Sequence, residues 1–237
     1  MLRNVWSVWV HRRALSSALS IARVTTSTAL VLAYLHGLSA YAQPPVLQRG
    51  YDAGVSGATL NETVLTTSNV TSSKFGLVFK LAVNDDIFAQ PLYVPNLTVN
   101  GHAHNVLYVA TMSDTLYAFD ADIGGSPLWT RNLATLEKAS PIPIAQFAYS
   151  GNKNIIGNLG ILSTPVIDLS TKTVYAVAGT LENGAMVYRL HAVDIATGIP
   201  RTGSGVPIEG NFGSSTFDAR NLLQRVSLVL SGNNVVF

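Results

Sequence analysis

The stretch LYAFDADIGGSPLW, residues 116–129, is echoed by LHAVDIATG at 190–198. Other segments keep a similar spacing. QPLYV at 90–94 aligns with TPVID at 164–168, an offset of 164 − 90 = 74, and VLYVA at 106–110 aligns with VYAVA at 174–178, an offset of 174 − 106 = 68. LYAFDA at 116–121 over LHAVDI at 190–195 returns 190 − 116 = 74. A third, incomplete copy follows, with RVSLVL at 225–230 in the place of the first strand and GNNVVF at 232–237 leading towards the second. Repetition at a near-constant period constrains the fold more than any single motif does. Each unit is one supersecondary element that cannot bury its apolar faces alone, so its neighbours must cover them.

The segments inside each unit are short, rich in Val, Ile, Leu, Tyr and Thr, and separated by Gly, Asn, Asp and Pro. Such runs are strands with turn punctuation, and no stretch sustains a helical period. The chain is therefore expected to be all-β. Tandem units of about four antiparallel strands are the mark of β-propeller blades. A closed propeller takes about four to eight blades, whereas the residues after position 42 number 237 − 42 = 195 and supply about two to three, counting LVFKLAV at 77–83 as the close of an earlier one. The expectation is a partial propeller in a fragment of a longer protein.

The end of the third strand of each unit carries a resemblance. AVDIATG at 192–198 resembles the AxDxxTG portion of AxDxxTGxxxW, a motif of the blades of pyrroloquinoline-quinone-dependent (quinoprotein) alcohol dehydrogenase-like propellers, with Ala192, Asp194, Thr197 and Gly198 in place. AFDADIGGSPLW at 118–129 is similar through Ala118, Asp120, Gly124 and Trp129, although Ile123 replaces the threonine and the tryptophan comes one place late. In the second unit Thr202 stands where the tryptophan is expected. The likeness extends over most of residues 60–237 and is strongest to exported bacterial members of the group. It implies a blade fastener. Asp120 and Asp194 are expected to accept backbone N–H groups two or three residues on, Gly124 and Gly198 to take positive φ, and Trp129 to bury its ring against the next blade.

The resemblance also implies, for catalytic members, a quinone and a calcium ion on the propeller axis, an aspartate base and often a disulfide of adjacent cysteines. The chain has no cysteine, so that last element is absent, and no carboxylate matches the context of the catalytic aspartate or calcium ligands. No catalytic or cofactor-binding residue is assigned; pyrroloquinoline quinone and calcium enter by resemblance alone.

Export is read from the first 42 residues. Arg3, Arg12, Arg13 and Arg23 precede an apolar run, TALVLAYLHGL at 28–38, and SAYA at 39–42 then offers small residues at Ala40 and Ala42. This is the order of a secretory signal peptide cut after Ala42, with a retained anchor as the competing reading. The four arginines also carry the whole basic excess. Without them the remaining 15 − 4 = 11 basic residues face 13 acidic ones, which excludes a nucleic-acid partner argued from charge. The expected organisation is a signal peptide at 1–42, an extended lead-in at 43–74 rich in Gly, Ser, Thr and Asn, and the partial propeller at 75–237. After cleavage no membrane association is expected, and the destination is periplasmic or extracellular. Without disulfides such a protein must hold itself together by core burial and strand pairing.

Other candidate chemistry is sparse. His102 and His104 share one strand face and can ligate a metal, but a polar hairpin tip accounts for them better. Asp85 and Asp86 read as a turn, since a calcium ion wants more oxygen ligands than stand nearby. His191 reads as a packed strand residue. Asn61, Asn69 and Asn96 begin glycosylation triplets that matter only in a glycosylating host. The preferred expectation is a non-catalytic binding or scaffolding segment that meets an unidentified protein or ligand through its loops. The alternative is a fragment of a quinone-dependent alcohol or sugar dehydrogenase.

Overall fold

The computed structural model describes residues 43–60, 62, 65–73, 75–147 and 154–237, together with the backbone of 5–11. The signal peptide expected over 1–42 otherwise lies outside the described residues, as does Asn61. The fold is all-β and its sheets are antiparallel. A first ribbon pairs β1 (Val5–His11) with β2 (Phe75–Ala82). A four-stranded meander follows, with β3 (Leu92–Val99), β4 (His102–Ala110), β5 (Thr115–Asp120) and β6 (Trp129–Asn132) in sequence order. A single helical turn, α1 (Leu133–Leu136), is capped by Asn132, whose Oδ1 accepts the Thr135 N–H at 2.9 Å.

The second sheet holds β7 (Ser140–Pro143), β8 (Asn158–Leu159), β9 (Val166–Asp168), β10 (Thr173–Glu182), β11 (Ala185–Asp194) and β12 (Val206–Pro207). Strands β9 to β12 repeat the meander of β3 to β6, while β7 joins the far end of β10 beyond β9. Two hairpins complete the described strands: β13 (Asn211–Phe212) with β14 (Ser215–Thr216), and β15 (Val229–Ser231) with β16 (Asn234–Val236). Strand β15 follows the start of the third copy, and β16 falls in GNNVVF.

Each meander holds a hairpin of the same kind, between β3 and β4 in the first and between β10 and β11 in the second. Asn100-Gly101 and Asn183-Gly184 carry φ values of 51° and 82°, and 50° and 84°. Paired positive φ matches the right-handed twist of the strands they join. Register then follows from the pleat. In β4 and β5, Tyr108, Ala110, Leu116 and Ala118 point into one cluster shared with Ile167, Val174, Ala176, Val193 and Ile195 of the second unit. The alternate residues Val109, Tyr117 and Phe119 point the other way, against Leu81 and Phe79. Strand β10 behaves likewise. Val174, Ala176 and Ala178 face the first meander, while Tyr175 and Val177 face Leu228, Leu230 and Val235. The period-two alternation of each strand thus fills two different apolar layers, and all six residues of β5 are buried. The sheets are stacked face to face in chain order. That is why a cysteine-free chain of this length can hold together: the central strands β5 and β10 are covered on both faces.

Candidate functional site

The acidic turn at the end of the third strand of each meander is built the same way twice. Asp120 Oδ1 accepts the N–H of Asp122 and of Ile123, each at 2.8 Å, and Gly124 N donates to Asp120 O. Asp194 Oδ1 accepts the N–H of Ala196 and of Thr197, each at 2.9 Å, together with the Thr197 hydroxyl, and Gly198 N donates to Asp194 O. The second carboxylate oxygen of each is also engaged, Asp120 Oδ2 by His104 Nδ1 at 2.6 Å and Asp194 Oδ2 by Arg201 Nη2 at 2.8 Å. Partial burial pushes the Asp120 carboxyl up, but the hydrogen bonds from His104, Ile123 and Asp122 outweigh it and hold the group below the usual carboxylate range. Ala118 is fully buried and sits opposite Trp129, whereas Ala192 is half-buried on β11.

The two glycines of these turns each lie beneath an aromatic ring from the preceding sheet. At Gly198, with φ at 68°, a β-carbon would come within 2.6 Å of Trp129 Cε3; at Gly124, with φ at 70°, it would come within 2.7 Å of Phe79. Any side chain would collide with the ring, and the left-handed backbone disfavours one in any case. The indole nitrogen of Trp129 donates to Ile195 O at 2.9 Å, and so does the Tyr108 hydroxyl. Arg131 Nε donates to Gly198 O at 2.7 Å. The join between the first and second units therefore has its tryptophan. The exposed Thr202 bears instead on whatever follows the second unit. Phe79 is the aromatic that the motif did not reveal, because it stands outside any recognisable copy.

The remaining candidates separate. His102 is exposed on β4, and His104 is tied to Asp120. Asp85 Oδ2 accepts the Ser113 hydroxyl at 2.5 Å and the Asn158 side-chain N–H at 2.9 Å, so it braces the loop before β3 against the β4–β5 turn. Asp86 O takes the Met112 N–H. Among the described residues no group of three or more His, Asp or Glu is placed to hold a metal ion. His191 is fully buried on β11 with neither ring nitrogen hydrogen-bonded among the described residues, and burial, then the Arg189 charge, pulls its pKa down to about 4. It is a neutral ring in the sheet interior. Asn69 and Asn96 lie in loop and strand-bulge positions, the latter exposed with φ at 53°.

A different place gathers the chemistry that the sequence left scattered. Gln90 and Thr164 hold the same position in the first and second units, just ahead of β3 and β9, and Gln90 N donates to Thr164 Oγ1 at 3.0 Å. The third copy joins at the same point, where Leu228 N donates to Thr164 O at 3.0 Å. Beside this junction opens a pocket of about 250 Å³ lined by Arg49, Phe88, Gln90, Leu162, Thr164 and Arg225. Arg49 comes from the lead-in and Arg225 from the third copy, so only folding brings them together. No carboxylate lines the pocket, and among the described residues none forms an ion pair with either arginine. The offset of 74 placed Gln90 over Thr164, yet equivalence of position says nothing about chemistry, and the arginines lie outside the aligned strands.

No helix among the described residues is long and apolar enough to cross a membrane. No family model matches the chain, and no curated protein or solved structure does.

Proposed function

We propose that this chain is a segment of an exported β-propeller of the quinoprotein-like kind and that it serves as a binding module rather than an enzyme. The observation that carries the reading is the meeting of three successive units at one point, Gln90 to Thr164 and Thr164 to Leu228, while the glycine turns of the first two units each lie under an aromatic ring from the sheet before. First strands that meet at one point while each unit packs its turn against the sheet before are what a radial array of blades requires. Binding is favoured because the polar pocket opens at that convergence, where loops and strand starts from three units meet.

The calcium-bound quinone of the catalytic relatives does not fit the donors present. Calcium takes about six to eight oxygen ligands, commonly including carboxylates, whereas the pocket offers two guanidinium groups, an amide and a hydroxyl. Export and the lack of nucleic-acid affinity follow from the leader and from the acidic balance of the rest of the chain. The test combines the purified protein with pyrroloquinoline quinone, calcium, a redox dye and a series of alcohols and sugars. No dye reduction above the quinone-free control is expected; substrate-dependent reduction would overturn the reading.

A further inference from the structure

From the donors that line the pocket between Arg49 and Arg225, we infer that it is a binding site for a small organic carboxylate with a flat or apolar body. The polar lining is rich in donors. Gln90 Oε1 already accepts the Gly50 N–H at 3.1 Å, which leaves the amide Nε2 hydrogens to face a ligand. Thr164 Oγ1 accepts the Gln90 N–H, and its own hydroxyl hydrogen can be offered to a ligand. Arg49 and Arg225 are exposed and have no carboxylate partner among the described residues. A pocket with two forked cations, an amide N–H and a hydroxyl, and no carboxylate among its lining residues, matches an anion and disfavours a cation.

The rest of the lining narrows the class. Phe88, 38% exposed, gives the mainly polar lining one apolar side, Leu162 being almost fully buried, and a bare inorganic oxyanion has nothing to bury against that ring. A volume of about 250 Å³ lies just below the usual range of about 300–1,000 Å³ for drug-sized ligands, so the occupant is small. Gln90 and Thr164 come from the strand starts of two units, Phe88 and Leu162 from the segments leading into them, and Arg49 and Arg225 from outside both. A carboxylate held there would therefore bridge the first unit, the second unit and the start of the third. The inference rests on the binding-module reading above, but its failure is separable: dye turnover would overturn that reading, whereas the measurements below bear on the pocket alone.

The full chain is titrated by calorimetry with benzoate, with the neutral isostere benzamide and with inorganic phosphate, in a buffer free of carboxylates. Benzoate is expected to bind and benzamide not. Arg49→Gln and Arg225→Gln, both at exposed positions, are each expected to weaken benzoate at least about tenfold. The Gln90 side-chain amide resonance of the unmodified protein is expected to shift on benzoate addition, a readout that does not depend on the variants folding. Equal binding of benzamide, indifference of benzoate to both arginine variants, or no binding of benzoate would each overturn the inference. Phosphate binding with arginine dependence while benzoate fails would replace it with an inorganic oxyanion site.

Discussion

Trp129 lies flat against Gly198. A β-carbon on the glycine would stand 2.6 Å from the ring, and the indole N–H reaches Ile195 O at 2.9 Å. One side chain thus supplies both the apolar lid and a hydrogen bond for the turn of the next unit. Removing it is expected to be costly. Trp129→Ala should lower stability by about 3–5 kcal/mol, the usual range for emptying a large aromatic site. Trp129→Phe keeps most of the ring and should lose about 1 kcal/mol for the unmade bond. Urea unfolding of the two variants checks the ranking; equal losses would mean that the contact does not depend on ring burial.

The glycine side of the contact makes its own prediction. Gly198→Ala and Gly124→Ala both force a β-carbon into an aromatic ring, whereas Gly125→Ala, at φ 80°, meets nothing within 4 Å. The control should cost about 1 kcal/mol for its backbone alone, and the other two should cost clearly more, as overpacking adds about 1–3 kcal/mol. Thermal unfolding of the three variants side by side decides it. If Gly125→Ala proves as damaging as the others, conformation rather than contact governs these sites.

Asp114 is fully buried in the β4–β5 turn, and its carboxyl oxygens have no hydrogen-bond partner among the described residues. Burial pushes this carboxyl well above the ordinary 3.8, and the nearby Gly179 N–H offsets only part of the effect. The folded state therefore keeps a proton that the unfolded chain releases above about pH 3.8, so stability falls as pH rises from there. Asp114→Asn removes the penalty, and asparagine tolerates the φ of 54° found here. The variant should match the parent near pH 3.5 and gain up to about 1.4 kcal/mol per pH unit above that, until the folded pKa is reached. Denaturant melts across pH 3.5–8 measure the difference, and a constant offset would contradict this account.

His191 behaves in the opposite sense. Its pKa is lowered to about 4 from 6.5 by burial, then by the Arg189 charge, against a smaller opposing pull from Glu182; the Glu137 carboxylate and the His191 ring both flank the position a Gly205 β-carbon would take. The unfolded state takes up a proton below about pH 6.5 that the folded state refuses until about pH 4, so stability is lost as pH falls through that window. The loss is on the order of 3 kcal/mol. His191→Leu should flatten this limb while leaving stability near neutral pH within about 1 kcal/mol, because the ring nitrogens make no bond to lose. An unchanged acid limb would place the sensitivity elsewhere, with Asp120 the first group to examine.

The elements of the fold were legible wherever a local pattern had one physical cause. Alternation such as Tyr108 and Ala110 against Val109 announced strands covered on both faces, and the AxDxxTG turns announced where each third strand ends. What could not be read was convergence. Phe79 does for Gly124 what Trp129 does for Gly198, but its own segment carries no motif. Arg49 and Arg225, separated by 225 − 49 = 176 residues, acquire a shared neighbourhood only after the units stack. Periodicity reports what each strand does to its immediate layer, and a pocket at the meeting of three units has no such periodic signature.

The ring-on-glycine contact has a direction: Phe79 is handed forward to the first unit and Trp129 to the second, where Thr202 takes the place of the next ring. Because Phe79 and Trp129 play the same part towards Gly124 and Gly198, a genetic excision that removed the chain between those equivalent points would bring Phe79 over Gly198 and rebuild a joint of the same type. Such an array can shorten or lengthen by whole units without a new interface having to be invented at the seam.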